Sequence, residues 1–246
     1  MKREHHQDGE PPPRRGQSLP LLPFVHDLRQ PLRAIVAAVQ RIQRQQGPLS
    51  EEMKAQLSEI IGAATRQDYL IGSAVEYHSA AETGLMEMGP RLPLMLAIQT
   101  ACLKVEAFRR EKGGTIRLPD HPTPAAAPAG LARVLEKVLH NALKFHPPGS
   151  SPEVGIELSD EGAEFVEIRI TDNGVGIAPE YRESVLRPFS RLHPPSEFTG
   201  AGLGLSICAR LLDTAGGGIS IEAASHGTRA AGTCVVIRYP TADPGA

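Results

Sequence analysis

Four short stretches of the chain carry residue types that can do chemistry. Near the N-terminus, Phe24-Val25-His26-Asp27-Leu28-Arg29-Gln30-Pro31-Leu32 sets a titratable imidazole beside a carboxylate, with an amide four residues on and then a proline. A proline there removes a backbone donor and crowds the preceding turn, so a helix is expected to kink. Taken alone, such a His-Asp pair is an ordinary solvated helix face. Asn141 and Lys144 stand three apart on one face of a predicted helix, where an amide oxygen and an ammonium can together meet a metal-bound triphosphate. Asp172-Asn173-Gly174-Val175-Gly176-Ile177 follows a predicted strand. A carboxylate at a strand end can accept from an exocyclic amine, and the glycines let the backbone approach a flat ring. Gly200-Ala201-Gly202-Leu203-Gly204-Leu205 opens a helix whose first amides suit phosphate oxygens. Its glycine spacing is not a dinucleotide fingerprint, and no Walker lysine follows it. Gly227 to Gly232 has Walker-like glycines but carries Thr233 in the lysine's place. Each stretch has a bland competitor, a solvated face or a tight turn.

The elements that must position them follow from apolar spacing. Leu21, Val25, Leu28, Leu32, Ile35, Val39 and Ile42 alternate at four and three, a heptad seam. Gly47-Pro48 ends that helix, and Ser50 with Glu51 and Glu52 is the capped, acidic start of a second. The second helix carries Met53, Leu57, Ile60, Ala64, Ile71 and Ala74 and runs to about Ala81. Two helices joined so closely make an antiparallel hairpin with little core of its own. Its stripes are expected to meet a second copy in a four-helix homodimer, with His26 projecting outward. Beyond a boundary between Thr83-Gly84 and Pro90 come a third helix through Leu94, Ile98, Cys102, Val105 and Phe108, and a strand from Thr115 to Leu118. A Pro/Ala loop from Pro119 to Gly130 leads to a fourth helix, Leu131 to about Phe145. Val154 to Leu158 and Phe165 to Thr171 read as antiparallel strands. A helix from Leu203 to Thr214 and strands at Ile219 to Ala223 and Thr233 to Tyr239 complete an α+β chain, a helical hairpin followed by an α/β sandwich with its helices on one face.

Composition narrows the class. A length of 246 residues allows one large domain or two smaller ones, and the net charge of −2 argues against a nucleic-acid binder. Cys102, Cys208 and Cys234 are odd in number and lack metal-ligand spacing, so buried, reduced thiols are expected. No apolar run reaches bilayer length, and Met1 to Gly16 lacks the apolar core of a signal peptide. A cytoplasmic protein with a disordered tail over 1–18 is expected.

The order and spacing of the four stretches together resemble the transmitter region of bacterial two-component sensor histidine kinases. His26 to Leu32 matches that family's phospho-acceptor box, Asn141 to Phe145 its N box, and Asp172 to Ile177 its first glycine box. Arg187-Pro188-Phe189-Ser190-Arg191 resembles the F box, Gly200 to Leu205 the second glycine box, and Gly232-Thr233 also fits. The resemblance covers roughly Leu21 to Pro240. It implies a dimerisation and phosphotransfer hairpin over 19–84, a Bergerat-type ATP-binding domain over 90–241 and a short tail over 242–246. ATP and Mg²⁺ are the implied cofactors. On that basis Asn141 would coordinate Mg²⁺, Lys144 would contact phosphate, and Asp172 would read the adenine amine. Phe145, Gly174, Gly176, Ile177, Gly200 and Leu203 belong to the implied nucleotide site. Residues between Leu186 and Thr199 would form a mobile lid, with Gly202 and Gly204 as hinge and phosphate contacts. Arg187 or Arg191 would neutralise charge on the γ-phosphate. Neutral His26 would be the nucleophile, with Asp27 as its base and orienting group.

Three departures qualify the resemblance. Lys137 stands one turn before Asn141, where the family usually has an asparagine, and could replace metal charge, oppose it, or point to solvent. Gln30 falls where the family often places Thr or Asn to position a water for dephosphorylating a regulator. No sensor or receiver segment is evident, so input is expected from a separate protein, with a response regulator receiver domain as the phosphoryl acceptor. Two rival readings remain: a histidine phosphotransferase or scaffold with weak ATP use, favoured by Lys137, and a Bergerat-fold regulator or serine kinase, disfavoured by the His26-Asp27 hairpin.

Overall fold

The computed structural model describes residues 21–45, 49–85, 89–121, 124–159, 164–194, 197–198, 200–224 and 232–241. The expected N-terminal tail, the Gly47-Pro48 turn, the 160–162 turn and most of the Gly227–Gly232 segment lie outside those residues.

Helix α1 (Leu21–Gln45) continues through Pro31. Helix α2 (Glu51–Thr83) begins as its sequence dictates: the Ser50 hydroxyl accepts from the Met53 amide at 3.2 Å, beside Glu51 and Glu52 in the first turn. The two helices pack on each other as an antiparallel pair. The heptad seam, however, is split. Val25 and Val39 are buried and Leu32 partly so, whereas Leu28, Ile35 and Ile42 are 41–43% exposed. On α2, Leu57 and Ala64 are buried while Met53 and Ile60 are each 44% exposed. One half of each stripe closes the hairpin and the other half faces away from it.

After α2, β1 (Leu92–Pro93) pairs antiparallel with β3 (Ala126–Ala127), a short pairing the sequence reading leaves as loop. Helix α3 (Leu94–Lys112) ends at Gly113, which is left-handed with φ 62°. Strand β2 (Thr115–Arg117), helix α4 (Leu131–Lys144), strands β4 (Glu153–Ser159) and β5 (Phe165–Asp172), helix α5 (Gly204–Asp213), and strands β6 (Gly218–Ala223) and β7 (Thr233–Pro240) follow near their expected positions. The larger sheet has the order β2-β4-β5-β7-β6, antiparallel except that β2 lies parallel to β4.

Helices α3, α4 and α5 pack together, with α4 and α5 lying on the sheet. Val166, Ile168 and Ile170 of β5 point inward. Glu167 and Arg169 of the same strand pair with each other, and Arg169 also meets Glu222 of β6. That period of two is what a strand with one solvated face requires. Helix α4 buries Leu131, Val134, Leu135, Val138, Leu139, Ala142 and Leu143 along one side. Each fully buried leucine contributes about 1.5–3 kcal/mol of burial. The opposite side of α4 is therefore free to carry polar groups. The core also reaches into α2 and its C-terminal end, because Ala80 and Leu85 are fully buried within the same cluster. The Leu85 amide donates to Thr214 Oγ1 at 3.0 Å.

Candidate functional site

A cleft with an empty volume of about 1110 Å³ lies beside the last two turns of α4, the end of β5, and the loop leading into α5. Asn141, Lys144 and Phe145 line it from α4, and Asp172, Gly176 and Ile177 line it from β5 and the turn beyond. Arg191, Gly200, Gly202 and Gly204 close the third side. Three stretches separated by tens of residues thus converge on one cavity.

Asp172 is fixed rather than merely near. Its Oδ1 accepts from the Gly174 amide at 2.8 Å and from the Thr233 amide at 3.1 Å. Burial pushes its carboxyl up to about 6, against the downward pull of those two amides. The Gly174 turn must be glycine, because a side chain there would strike the Phe145 carbonyl, which instead accepts from the Val175 amide at 2.9 Å. The turn is tied in this way to the C-terminal end of α4, so Asp172 and Asn141 are held by one framework.

Across the cleft, Lys144 Nζ stands 4.8 Å from the centre of the Phe145 ring. Burial and the charge of Arg191 lower the Lys144 pKa. A Cβ on Gly200 would come within 3.1 Å of Lys144 Nζ, and one on Gly204 within 3.7 Å of Asn141 Nδ2, so the N-terminal end of α5 faces the polar side of α4. Gly202 has φ 69°, and a side chain there would meet the Ser190 carbonyl at 2.6 Å. Arg191 donates to the carbonyls of Gly200 at 2.6 Å and Phe198 at 2.9 Å. Phe198 and His193 lean onto Phe145 at centroid distances of 4.9 and 6.1 Å.

Not every expected residue lines the cleft. Gly174 acts behind it, and Leu203 is 1% exposed in the core as the N-cap of α5. Arg187 is exposed and absent from the cleft wall, so of the two candidate arginines only Arg191 reaches it. His26, Asp27 and Gln30 are exposed on α1 and line no part of the cleft. His26 Nδ1 lies 3.6 Å from Asp27 Oδ1, beyond hydrogen-bond length, with both side chains largely in solvent. Lys137 takes none of the three routes its position suggested: its ammonium meets Glu76 Oε1 of α2 at 2.7 Å, while Glu136 pairs with Lys104.

Sequence reasoning missed several wall residues. His140, beside Asn141, stacks on Phe108 at 4.4 Å, and burial lowers its pKa. His193 and Phe198 lie in the expected lid, which was their one signal. Tyr69 reaches the cleft from α2 with no motif to announce it.

Among the described residues, no helix is long and apolar enough to cross a membrane, and no three His, Cys, Asp or Glu side chains cluster as metal ligands. An ion here would be held by Asn141 and by phosphate and water oxygens, a donor set that suits Mg²⁺.

Residues 126–243 match the family model described as histidine kinase-, DNA gyrase B-, and HSP90-like ATPase. The adaptive-response sensory kinase SasA of Synechocystis is 30% identical over 207 residues, 81% of this chain and 54% of that protein. The mycobacterial sensor histidine kinase MprB superposes with a TM-score of 0.51 at 29% identity, over 61% of this chain and 96% of that one. Full-length ShkA in complex with AMPPNP shares the fold over 92% of this chain and 46% of its own length, with a TM-score of 0.64 at 23% identity. The chain spans about half the length of the SasA relatives it matches. Over most of its length the chain is similar to sensor histidine kinases, and residues 126–243 match an ATPase domain that those kinases share with DNA gyrase B and HSP90.

Proposed function

We propose that the chain is an ATP-dependent protein-histidine kinase that phosphorylates His26 and passes the phosphoryl group to an aspartate on a response regulator receiver domain. The observation that carries this is the convergence of Asn141, Lys144, Asp172 and the N-terminal end of α5 on one cleft, in a chain that also presents an exposed His26-Asp27 pair on a helical hairpin.

The wall residues divide the substrate between them. Ionised Asp172 accepts from the adenine amine, with Ile177 and Phe145 offering apolar surface to the base. Lys144, Arg191 and the first amides of α5 meet the triphosphate. Asn141 would hold Mg²⁺, which would supply positive charge to the triphosphate. His26 attacks the γ-phosphorus through Nε2, so an N–P bond forms as the bond to the β-phosphate oxygen breaks and ADP leaves. Asp27, beside Nδ1, stabilises the imidazolium and takes up its proton.

The exposed halves of the hairpin stripes support a homodimer. Leu28, Ile35 and Ile42 recur every seven residues, which is the repeat a second copy would bury. Lys137 lines no part of the cleft, which weakens the case it made for a phosphotransferase with weak ATP use. Gln30 is exposed one turn from His26, and on this reading it would orient a water toward a docked phospho-regulator.

Incubation with γ-labelled ATP and Mg²⁺ tests the reading. Acid-labile label on the wild type and none on His26→Ala, with equal ATP binding, is the expected result. Absence of label on wild-type protein that binds ATP would sink it. Phospho-regulator half-life with wild type and Gln30→Ala tests the phosphatase role, and equal half-lives would remove that role.

A further inference from the structure

One face of α2 is committed to the ATPase-type domain rather than to the hairpin. Tyr69, Ser73, Glu76 and Ala80 follow one another at spacings of four, three and four, and so share a side of the helix. Ala80 and Ser73 are buried, Tyr69 stands in the wall of the nucleotide cleft, and Glu76 meets α4. Beside them, Tyr77 carries the Arg210 guanidinium of α5 at 4.8 Å from its ring centre.

Glu76 is the polar centre of this contact. Its Oε1 accepts from Arg133 Nη2 at 2.7 Å, from Arg133 Nε at 3.0 Å, and lies 2.7 Å from Lys137 Nζ. All three side chains are 21–32% exposed, so the charges are only partly screened. Burial pushes the Glu76 carboxyl up, but the bonds from Lys137 and Arg133 outweigh it and leave the group below the usual carboxylate range. Lys137 is the residue standing where the kinase homologues are expected to carry an asparagine. An asparagine is uncharged and short, whereas the lysine stem carries an ammonium across the gap between α4 and α2.

We propose that Glu76, Arg133 and Lys137 form an ionic latch that parks the ATPase-type domain on α2 with Tyr69 at the mouth of the nucleotide cleft, and that the latch must open before the cleft can serve His26. The last clause rests on the kinase reading above. Tyr69, not His26, borders the cleft in the latched arrangement, while His26 stands exposed on α1. Neutralising Glu76 leaves Arg133 and Lys137 as adjacent cations with their shared anion gone. Both cations belong to α4, so without Glu76 nothing charged ties them to α2, and their return to water favours separation of the two surfaces. The latch residues act on position, through the domain they hold, and touch no reacting atom.

The chain contains no tryptophan, so Tyr69→Trp makes a single reporter at the cleft mouth. In that background, Glu76→Gln should move the emission to longer wavelength and raise quenching by acrylamide, and the charge-swapped pair Glu76→Lys with Lys137→Glu should reverse both. With Tyr69 intact, Glu76→Gln should raise the rate of His26 labelling severalfold while ATP affinity stays within about twofold, and the swapped pair should restore the slower rate. If Glu76→Gln fails to fold, Lys137→Met supplies both readouts from the α4 side. Unchanged emission in the neutralised variants overturns the latch. Labelling that is unchanged or slower overturns its role in gating. A shifted emission with no label on any form, wild type included, upholds the latch and overturns the kinase reading instead.

Discussion

The hairpin and the ATPase-type domain solve the burial problem in opposite ways. In the domain, the apolar faces of α4, α5 and the sheet find partners within the chain, and α4 buries seven residues on one side while its other side lines the cleft. In the hairpin, each apolar stripe is only half used, with Leu28, Ile35, Ile42, Met53 and Ile60 left exposed. A closed core gives a rigid site, because packed side chains hold neighbouring polar groups in place. An unfinished one gives a surface that a second copy can complete. The histidine sits on the unfinished part and the nucleotide wall on the finished part. On the proposed kinase reading, phosphoryl transfer to His26 therefore requires relative motion between them.

Breaking the hairpin's surface should have the largest effect. Leu28→Lys with Ile35→Lys places four ammonium groups in the seam of a homodimer, a cost of roughly 4 kcal/mol or more. Sedimentation should then show monomer, with ATP binding unchanged. A mass that does not fall would mean the exposed stripe is not the dimer seam.

Next is Asp172→Asn, which attacks the finished domain at one atom. The amide oxygen can still accept from Gly174 and Thr233, but the amide nitrogen then faces the adenine amine, donor against donor. ATP binding should weaken about 100-fold by calorimetry, for a loss of 1–3 kcal/mol at an unsatisfied group. The dimer should persist.

A smaller effect comes from pH. The folded Asp172 carboxyl titrates at about 6, above its ordinary 3.8. The folded chain therefore holds this proton where the unfolded chain has lost it, and this group's contribution makes stability fall as pH rises from about 4 to about 6. The ionised form is the one that accepts from adenine, so affinity runs the other way. Between pH 7.5 and pH 5 ATP binding should lose about tenfold through this group, and Asp172→Asn should lack that step, which separates it from titration of the phosphates.

Smallest is Ser50→Ala, which removes the cap of α2 at a cost of about 1 kcal/mol. The melting transition of the hairpin should drop a few degrees with nucleotide affinity intact. An equal drop in both halves would show that they unfold as one unit, joined through Ala80, Leu85 and Thr214.

Much of this architecture was legible from local rules. Heptad spacing located α1, Ser50 marked the start of α2, and alternation located β4 and β5, because each rests on interactions within a turn or a strand. The cleft was legible in part for the same reason: Asn141 and Lys144 share a face by helical period, and Asp172 ends a strand ahead of glycines that permit close approach. Sequence order did not reveal which half of the heptad seam the hairpin would use, since both halves have the same period and only the α2 partner separates Val25 and Val39 from Leu28 and Ile35. Nor did it reveal the parallel pairing of β2 with β4, the burial of Leu203, or the choice of Arg191 over Arg187, all of which are settled by long-range packing. Lys137 is the clearest case. Its identity marked it as a departure at a metal-side position, yet its partner, Glu76, lies 61 residues earlier on another helix. A charge's type is written in the chain, but the charge it meets is decided only when two helices are laid side by side.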